Sequence, residues 1–152
     1  MRILVDADAC PVKHIILKVV KQHKLPVVMF IDTSHQIDDG YSEVITVDKQ
    51  QDSADIALIN RTDSGDLVVT QDYGLAAMVL GKGARAINQN GTIYSSENMD
   101  RILFERHISQ KIRRSGGRTS GPGKRTRADD ERFETALRGM VRQDLIDPEW
   151  NN

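Results

Sequence analysis

The first 90 residues alternate short apolar runs with segments of helical spacing, and no other feature of the sequence constrains the fold as strongly. The apolar runs are predicted strands and cover residues 3–5, 27–31, 44–47, 67–70 and 84–87. Residues 11–23, 52–59 and 75–80 lie between them and are predicted helices. This alternation predicts an α/β fold, a three-layer α/β/α sandwich with a mostly parallel sheet of about five strands.

Helix signals continue beyond this core and predict a C-terminal helical extension. Ser95 or Ser96 can cap a helix that runs to about residue 113, with Ile102, Leu103, Ile108 and Ile112 on its apolar side. Thr126, with Asp129 three residues later, resembles a capping box that opens a last helix. We expect one domain over residues 1–152, with an α/β core in 1–90 and helices with a basic Gly-rich loop, 113–127, in 91–152.

Aspartates lie at the carboxyl ends of the first four predicted strands: Asp6, Asp8, Asp32, Asp48 and Asp72. Right-handed crossovers bring the carboxyl ends of parallel strands to one edge, where open α/β sheets keep their ligand crevice. Asp66 precedes its strand and is expected at the opposite edge. Because Asp is common wherever a strand ends, Asp32 and Asp48 are interpreted as loop residues. We predict that Asp6, Asp8 and Asp72 form a functional cluster.

A cluster of aspartates predicts a site for a hard divalent cation. Carboxylate oxygens suit Mg²⁺ or Mn²⁺, and like charges crowded at one edge repel each other unless a cation lies among them. Two such ions can activate a water molecule and stabilise the leaving oxygen of a phosphodiester. Asp55, in the first turn of a predicted helix beside Ile56, is a further candidate, whereas Asp52 is interpreted as either a metal ligand or only a helix cap.

Positive charge is concentrated in residues 106–127, which contain eight Lys or Arg and no Asp or Glu, so that the rest of the chain carries a net charge of −9. A basic segment on a Gly-rich loop can follow a phosphate backbone. The residues predicted to bind nucleic acid are Arg113, Arg114, Arg118, Lys124, Arg125 and Arg127. The segment has no aromatic residue to stack on bases, so little sequence preference is expected. The alternative is a solvated tail.

Composition points to a cytoplasmic protein that does not enter membranes. No apolar run approaches the roughly 18 residues that a membrane span needs, and no secretory signal precedes the first strand. The single cysteine, Cys10, cannot form an internal disulfide and fits a reducing compartment. We interpret it as a small buried hydrophobe rather than a reactive thiol.

Several motifs make the chain resemble the uncharacterised bacterial YaiI/YqxD family, which is regarded as related to PIN and NYN nuclease domains. These are DADACP at 6–11, DSAD at 52–55, GDLVVTQD at 65–72, LA at 75–76 and GGRTSGP at 116–122. The resemblance implies a PIN-like fold and Mg²⁺- or Mn²⁺-dependent hydrolysis of RNA or DNA. By position it places metal-binding acids at Asp6, at Asp55 preceded by Asp52, and at Asp72. Gln71 stands where small residues are frequent in the family.

Three functions remain open from the sequence. The leading hypothesis is a metal-dependent nuclease, with RNA favoured over DNA, in which Asp8 is an outer ligand or a base and Thr70 supports the site. The second is an aspartate-nucleophile phosphatase that uses Asp6 and Asp8 with Thr33 or Ser34. The third is a non-catalytic RNA-binding module. Homo-oligomer formation is left open.

Overall fold

A parallel sheet forms the centre of the computed structural model, which describes residues 1–32, 36–48, 53–118 and 123–146. In this part of the chain the strands are β1 (Ile3–Asp6), β2 (Val27–Asp32), β3 (Glu43–Val47), β4 (Leu67–Val69) and β5 (Arg85–Ile87). The helices are α1 (Lys13–His23), α2 (Ser53–Arg61), α3 (Tyr73–Gly81), α4 (Ser96–Arg114) and α5 (Arg127–Ile146). All five of these strands are parallel, which confirms the predicted α/β fold.

The strand order of the sheet is β3-β2-β1-β4-β5, so the direction of travel along the sheet reverses at β1. The chain moves from β1 outward to β2 and β3, and then returns to place β4 on the other side of β1. Ile3 is therefore in register with both Val27 and Leu67. A reversal of this kind leaves a crevice beyond the carboxyl ends of the two strands where it occurs. Here those strands are β1 and β4.

Apolar side chains cover both faces of the sheet, because β1 sends Ile3 and Val5 to one face and Leu4 to the other. On the first face α1 and α5 supply the core, with Ile16 and Phe133 both fully buried. On the second face the core comes from α2, α3 and the start of α4, and it includes Leu58, Leu75, Val79 and Met99. The predicted three-layer sandwich is confirmed. None of the helices among the described residues has the length and apolarity to cross a membrane.

Short polar side chains begin three of the helices. Asp72 caps α3, and Ser95 caps α4 in a reciprocal pair with Asn98, whose side chain accepts from the Ser95 N–H. The predicted capping box of α5 is present, because Asp129 Oδ2 accepts from the Thr126 N–H at 2.8 Å and Thr126 Oγ1 accepts from the Asp129 N–H at 3.3 Å. Each cap satisfies backbone donors that have no partner within the helix.

Most of the predicted apolar side of α4 is exposed. Its residues Leu103, Ile108 and Ile112 are 47%, 39% and 39% exposed, and Phe104 is 65% exposed. Met99, near the first turn, is the buried residue of this helix. Helical spacing of apolar residues indicates that a helix is amphipathic, but it does not show whether another element covers that side.

Asp66 lies at the edge of the sheet opposite Asp6, as predicted. It precedes β4, is only 5% exposed, and accepts from the Arg2 guanidinium at 2.9 Å and from the Asp63 N–H at 2.8 Å. This acid therefore secures the N-terminal ends of β1 and β4. Cys10 is 8% exposed, and burial raises the pKa of its thiol, in agreement with a packing role.

Candidate functional site

The hydroxyl of Thr70 links two of the predicted site residues. Thr70 directly follows β4, beside the end of β1, and its Oγ1 donates to Asp6 Oδ2 at 2.9 Å. The same oxygen accepts from the Asp72 N–H at 3.0 Å. Because one buried hydroxyl serves both neighbours, the Asp6 carboxylate and the backbone of Asp72 hold a fixed relation to each other.

Tyr94 was not predicted as a site residue from the sequence, but it binds the backbone of Thr70. Its hydroxyl donates to the Thr70 carbonyl oxygen at 3.2 Å, and the residue is 5% exposed. Burial, with a smaller effect from the Asp72 charge, raises the pKa of Tyr94 to about 12. The hydroxyl therefore remains a donor at ordinary pH, and it holds the backbone of Thr70 in place.

The carboxylates of Asp72 and Asp8 accept hydrogen bonds from backbone N–H groups. Asp72 Oδ1 accepts from the N–H groups of Gly74 and Leu75, at 2.9 and 3.2 Å, at the positive end of the α3 dipole. Asp8 Oδ2 accepts from the Asp32 N–H at 3.0 Å and so joins the turn after β1 to the end of β2. Each of these carboxylates therefore stabilises the local backbone and also lies at the carboxyl edge of the sheet.

The three acids line one cavity of about 370 Å³, which we name the acidic cavity. Its lining residues are Asp6, Asp8, Ala9, Gln71, Asp72 and Arg106. Burial raises the pKa of Asp6, the Thr70 hydrogen bond lowers it, and the charges of Asp72 and Asp8 raise it further. The cavity thus concentrates negative charge in a place where a cation would relieve the repulsion.

Arg106 brings the opposite charge to the acidic cavity. It extends from α4, and its guanidinium lies 4.0 Å from the ring centre of Tyr73, the first residue of α3. Apart from this contact with the Tyr73 ring, the Arg106 guanidinium forms no hydrogen bond or ion pair with the described residues. A guanidinium carries five N–H donors in a planar fork that matches a phosphate or carboxylate. Arg106 can therefore receive an anion at the mouth of the cavity.

The predicted metal ligands are brought together only in part. Asp55 lies half-buried in the first turn of α2 and is not among the residues that line the acidic cavity. Asp52 lies outside the described residues, as do Thr33 and Ser34 of the phosphatase hypothesis. In the described ranges no three His, Cys, Asp or Glu side chains are grouped so that they could hold a metal ion.

The chemistry of the acidic cavity still fits Mg²⁺ or Mn²⁺. Its donors are carboxylate oxygens, which these ions prefer. Mg²⁺ retains several water ligands and is usually bound by only one or two carboxylates together with phosphate oxygens of a substrate. Asp6, whose carboxylate accepts from Thr70, and Asp72, whose backbone N–H donates to the same hydroxyl, are the residues that could hold such an ion.

The predicted nucleic-acid-binding residues have different environments. The residues with exposed side chains are Arg113, Arg114, Arg118, Lys124 and Arg127. Arg125 instead binds within the protein: its Nε lies 2.7 Å from Asp130 Oδ1, its Nη1 3.1 Å from Asn90 Oδ1 and its Nη2 2.7 Å from the Gln89 carbonyl oxygen. It fastens the start of α5 to the turn after β5.

The chain has close relatives among known proteins. A sequence model described as the uncharacterized BCR, YaiI/YqxD family matches residues 4–143. The chain is 62% identical to a UPF0178 protein of Ruminiclostridium cellulolyticum over 148 residues, 97% of each protein. It is 52% identical to a UPF0178 protein of Clostridium kluyveri over 146 residues, 93% of this chain and 96% of the relative. The range matched by the family includes every residue that lines the acidic cavity.

One solved structure is also similar. The crystal structure of Rae1 (YacP) from Bacillus subtilis aligns with 97% of this chain and 100% of its own, at 17% sequence identity and a TM-score of 0.42.

Proposed function

The chain belongs to the YaiI/YqxD family, and from this premise and the geometry of the acidic cavity we propose that it is a metal-dependent nuclease acting on RNA in preference to DNA. One observation carries the proposal. Asp6, Asp8 and Asp72 converge with the guanidinium of Arg106 in one cavity, at the point where the strand order reverses. Carboxylates alone would repel a phosphodiester, whereas this cavity combines sites for a cation with a donor for the phosphate.

Each residue has a distinct role in this proposal. Asp6 and Asp72 would hold Mg²⁺ or Mn²⁺, which when bound supplies Lewis-acid polarisation of the phosphoryl group and of water. Arg106 would bind the non-bridging phosphoryl oxygens and stabilise the negative charge that develops during displacement. Asp8, anchored through one oxygen by the Asp32 N–H, would orient the attacking water and take up its proton. Thr70 is a positioning residue, since it acts through Asp6 and Asp72.

The test is cleavage of short single-stranded RNA, and of DNA of the same sequence, by the full chain with added Mn²⁺ or Mg²⁺. We expect cleavage that chelation abolishes and that is faster for RNA. Asp6→Asn keeps an oxygen that accepts from Thr70, so the variant should fold and should lose activity at least about 100-fold. Arg106→Gln should lower kcat about 100-fold.

Arg101→Gln is the matched control, since Arg101 is an exposed arginine of the same helix and is not among the residues of the cavity. If Mn²⁺ produces no heat of binding and neither nucleic acid is cut, the proposal is wrong. Hydrolysis of p-nitrophenyl phosphate that is lost in Asp6→Asn would support the phosphatase hypothesis. Salt-sensitive RNA binding without cleavage would support the non-catalytic hypothesis.

A further inference from the structure

A second cavity, of about 470 Å³, lies directly beside the acidic cavity. We name it the amide-lined cavity, and its lining residues are Ala9, Pro11, Gln71, Gln89, Asn90, Gly123, Lys124, Arg125, Thr126 and Asp129. Ala9 and Gln71 belong to the linings of both cavities. The volume is within the roughly 300–1,000 Å³ typical of small-molecule sites, which is enough for a nucleotide.

The two cavities meet at Ala9 and Gln71, and both residues are exposed. The side-chain Nε2 of Gln71 donates to the Ala9 carbonyl oxygen at 3.2 Å. A chain molecule can therefore extend from one cavity into the other across the Gln71 amide.

One cationic side chain of the amide-lined cavity has no anionic partner among the described residues. Arg125 is paired with Asp130 at 2.7 Å, and Asp129 is paired with Arg132. Lys124 is exposed and forms no ion pair or hydrogen bond with the described residues. Its ammonium group is therefore available to an anionic ligand.

Gln89 provides a second indication of a ligand. Its side-chain Oε1 is buried and accepts no hydrogen bond from the described residues. A buried acceptor without a donor costs about 1–3 kcal/mol, and such a group in a polar cavity normally receives a donor from water or a ligand. Sugar hydroxyls and base N–H groups of a nucleotide are donors of this kind.

We propose that the amide-lined cavity binds the nucleotide that flanks the scissile phosphodiester, with Lys124 on its phosphate and the Gln89 amide on its sugar or base. This inference rests on the proposed function, because it takes the acidic cavity as the place of cleavage. The substrate class is then a polynucleotide cut internally. A small diester without a flanking phosphate fills the acidic cavity alone.

Binding tests the inference without catalysis. Fluorescence anisotropy of a labelled single-stranded RNA is measured in the Asp6→Asn background with Mg²⁺, with and without Lys124→Gln. One phosphate contact to a single strand contributes about 0.7 to the slope of log K against log salt concentration, hence about 5-fold in affinity at about 0.1 M salt. We expect Lys124→Gln to lose this slope and this affinity, and Gln89→Leu to weaken binding with an unchanged slope.

Arg142→Gln is the matched control for charge, because Arg142 is exposed on α5 and does not line the amide-lined cavity. A salt slope unchanged by Lys124→Gln, or an equal loss in Arg142→Gln, would overturn the inference.

Cleavage separates this inference from the proposed function. In the otherwise unmodified protein, Lys124→Gln should raise KM for RNA about 5-fold and leave hydrolysis of bis(p-nitrophenyl) phosphate unchanged. If the protein cuts both substrates and the variant matches it on both, the flanking site is wrong and the nuclease proposal stands. If nothing is cut but the salt slope still falls in Lys124→Gln, the nuclease proposal is wrong and the cavity remains a nucleic-acid site.

Discussion

Replacement of Thr70 by valine would remove the hydroxyl that links Asp6 to Asp72 and keep the shape of the side chain. Thr70 is 2% exposed, so water cannot replace the lost group easily. The variant loses a hydrogen bond to a carboxylate, worth about 1.5–3 kcal/mol, and leaves the Asp72 N–H without its acceptor, a cost of about 1–3 kcal/mol. The added methyl group recovers about 0.8 kcal/mol. We expect the free energy of unfolding to fall by about 3 kcal/mol near pH 7.

This loss of unfolding free energy should depend on pH. Burial and the charges of Asp72 and Asp8 raise the pKa of Asp6, whereas the Thr70 hydrogen bond lowers it. Without the hydroxyl, the pKa of Asp6 in the folded protein rises further above its value in the unfolded chain. The folded state then binds the proton more tightly, so stability falls as pH rises from the ordinary aspartate pKa of about 3.9 through the raised one. The loss should therefore be about 1 kcal/mol smaller near pH 4 than near pH 7.

Urea denaturation at both pH values measures the effect, with Thr70→Ser as the control. Serine keeps the hydroxyl and loses one methyl group, so its cost should be about 1 kcal/mol at either pH. The reasoning is refuted if valine costs no more than serine, or if the loss in Thr70→Val is the same at both pH values.

Three further predictions concern stability and are checked by urea denaturation near pH 7. Gly91→Ala should cost about 3 kcal/mol or more, because φ is +86° and a Cβ would lie 2.7 Å from the Arg132 carbonyl oxygen. Gly40→Ala, at φ +71° with open space around it, should cost only about 1–2 kcal/mol. Asp66→Asn should cost about 1.5–3 kcal/mol, since the buried carboxylate loses its charged hydrogen bonds with the Arg2 guanidinium, which keeps only the exposed Asp63 as an ion-pair partner among the described residues. Gly139→Ala, on the exposed surface of α5 with no neighbour near its Cβ, should stabilise the protein by about 0.5–1 kcal/mol, and a loss there would contradict the helix assignment.

Local patterns predicted the fold well because the central strands are buried on both faces. Such strands appear in the sequence as continuous apolar runs, and Thr126 with Asp129 marked the start of α5 through contacts only three residues apart. The position of Arg106 could not be predicted in this way. Its place in the acidic cavity depends on how α4 lies against α3, where the guanidinium meets Tyr73. The pairing of Arg125 with the distant Asn90 depends in the same way on tertiary packing.

Strand order decides which of the acids can act together. The sequence places an acid after four strands, but only the order β3-β2-β1-β4-β5 shows that β1 and β4 are neighbours. Asp6 and Asp72 therefore share the Thr70 hydroxyl, whereas Asp48 follows the edge strand β3 and is exposed. Asp8 connects the acidic cavity to the end of β2, since it lines the cavity and also accepts a hydrogen bond from the Asp32 N–H. The reversal of strand order at β1 thus selects a compact set from a longer row of aspartates, and it is this set that Arg106 faces.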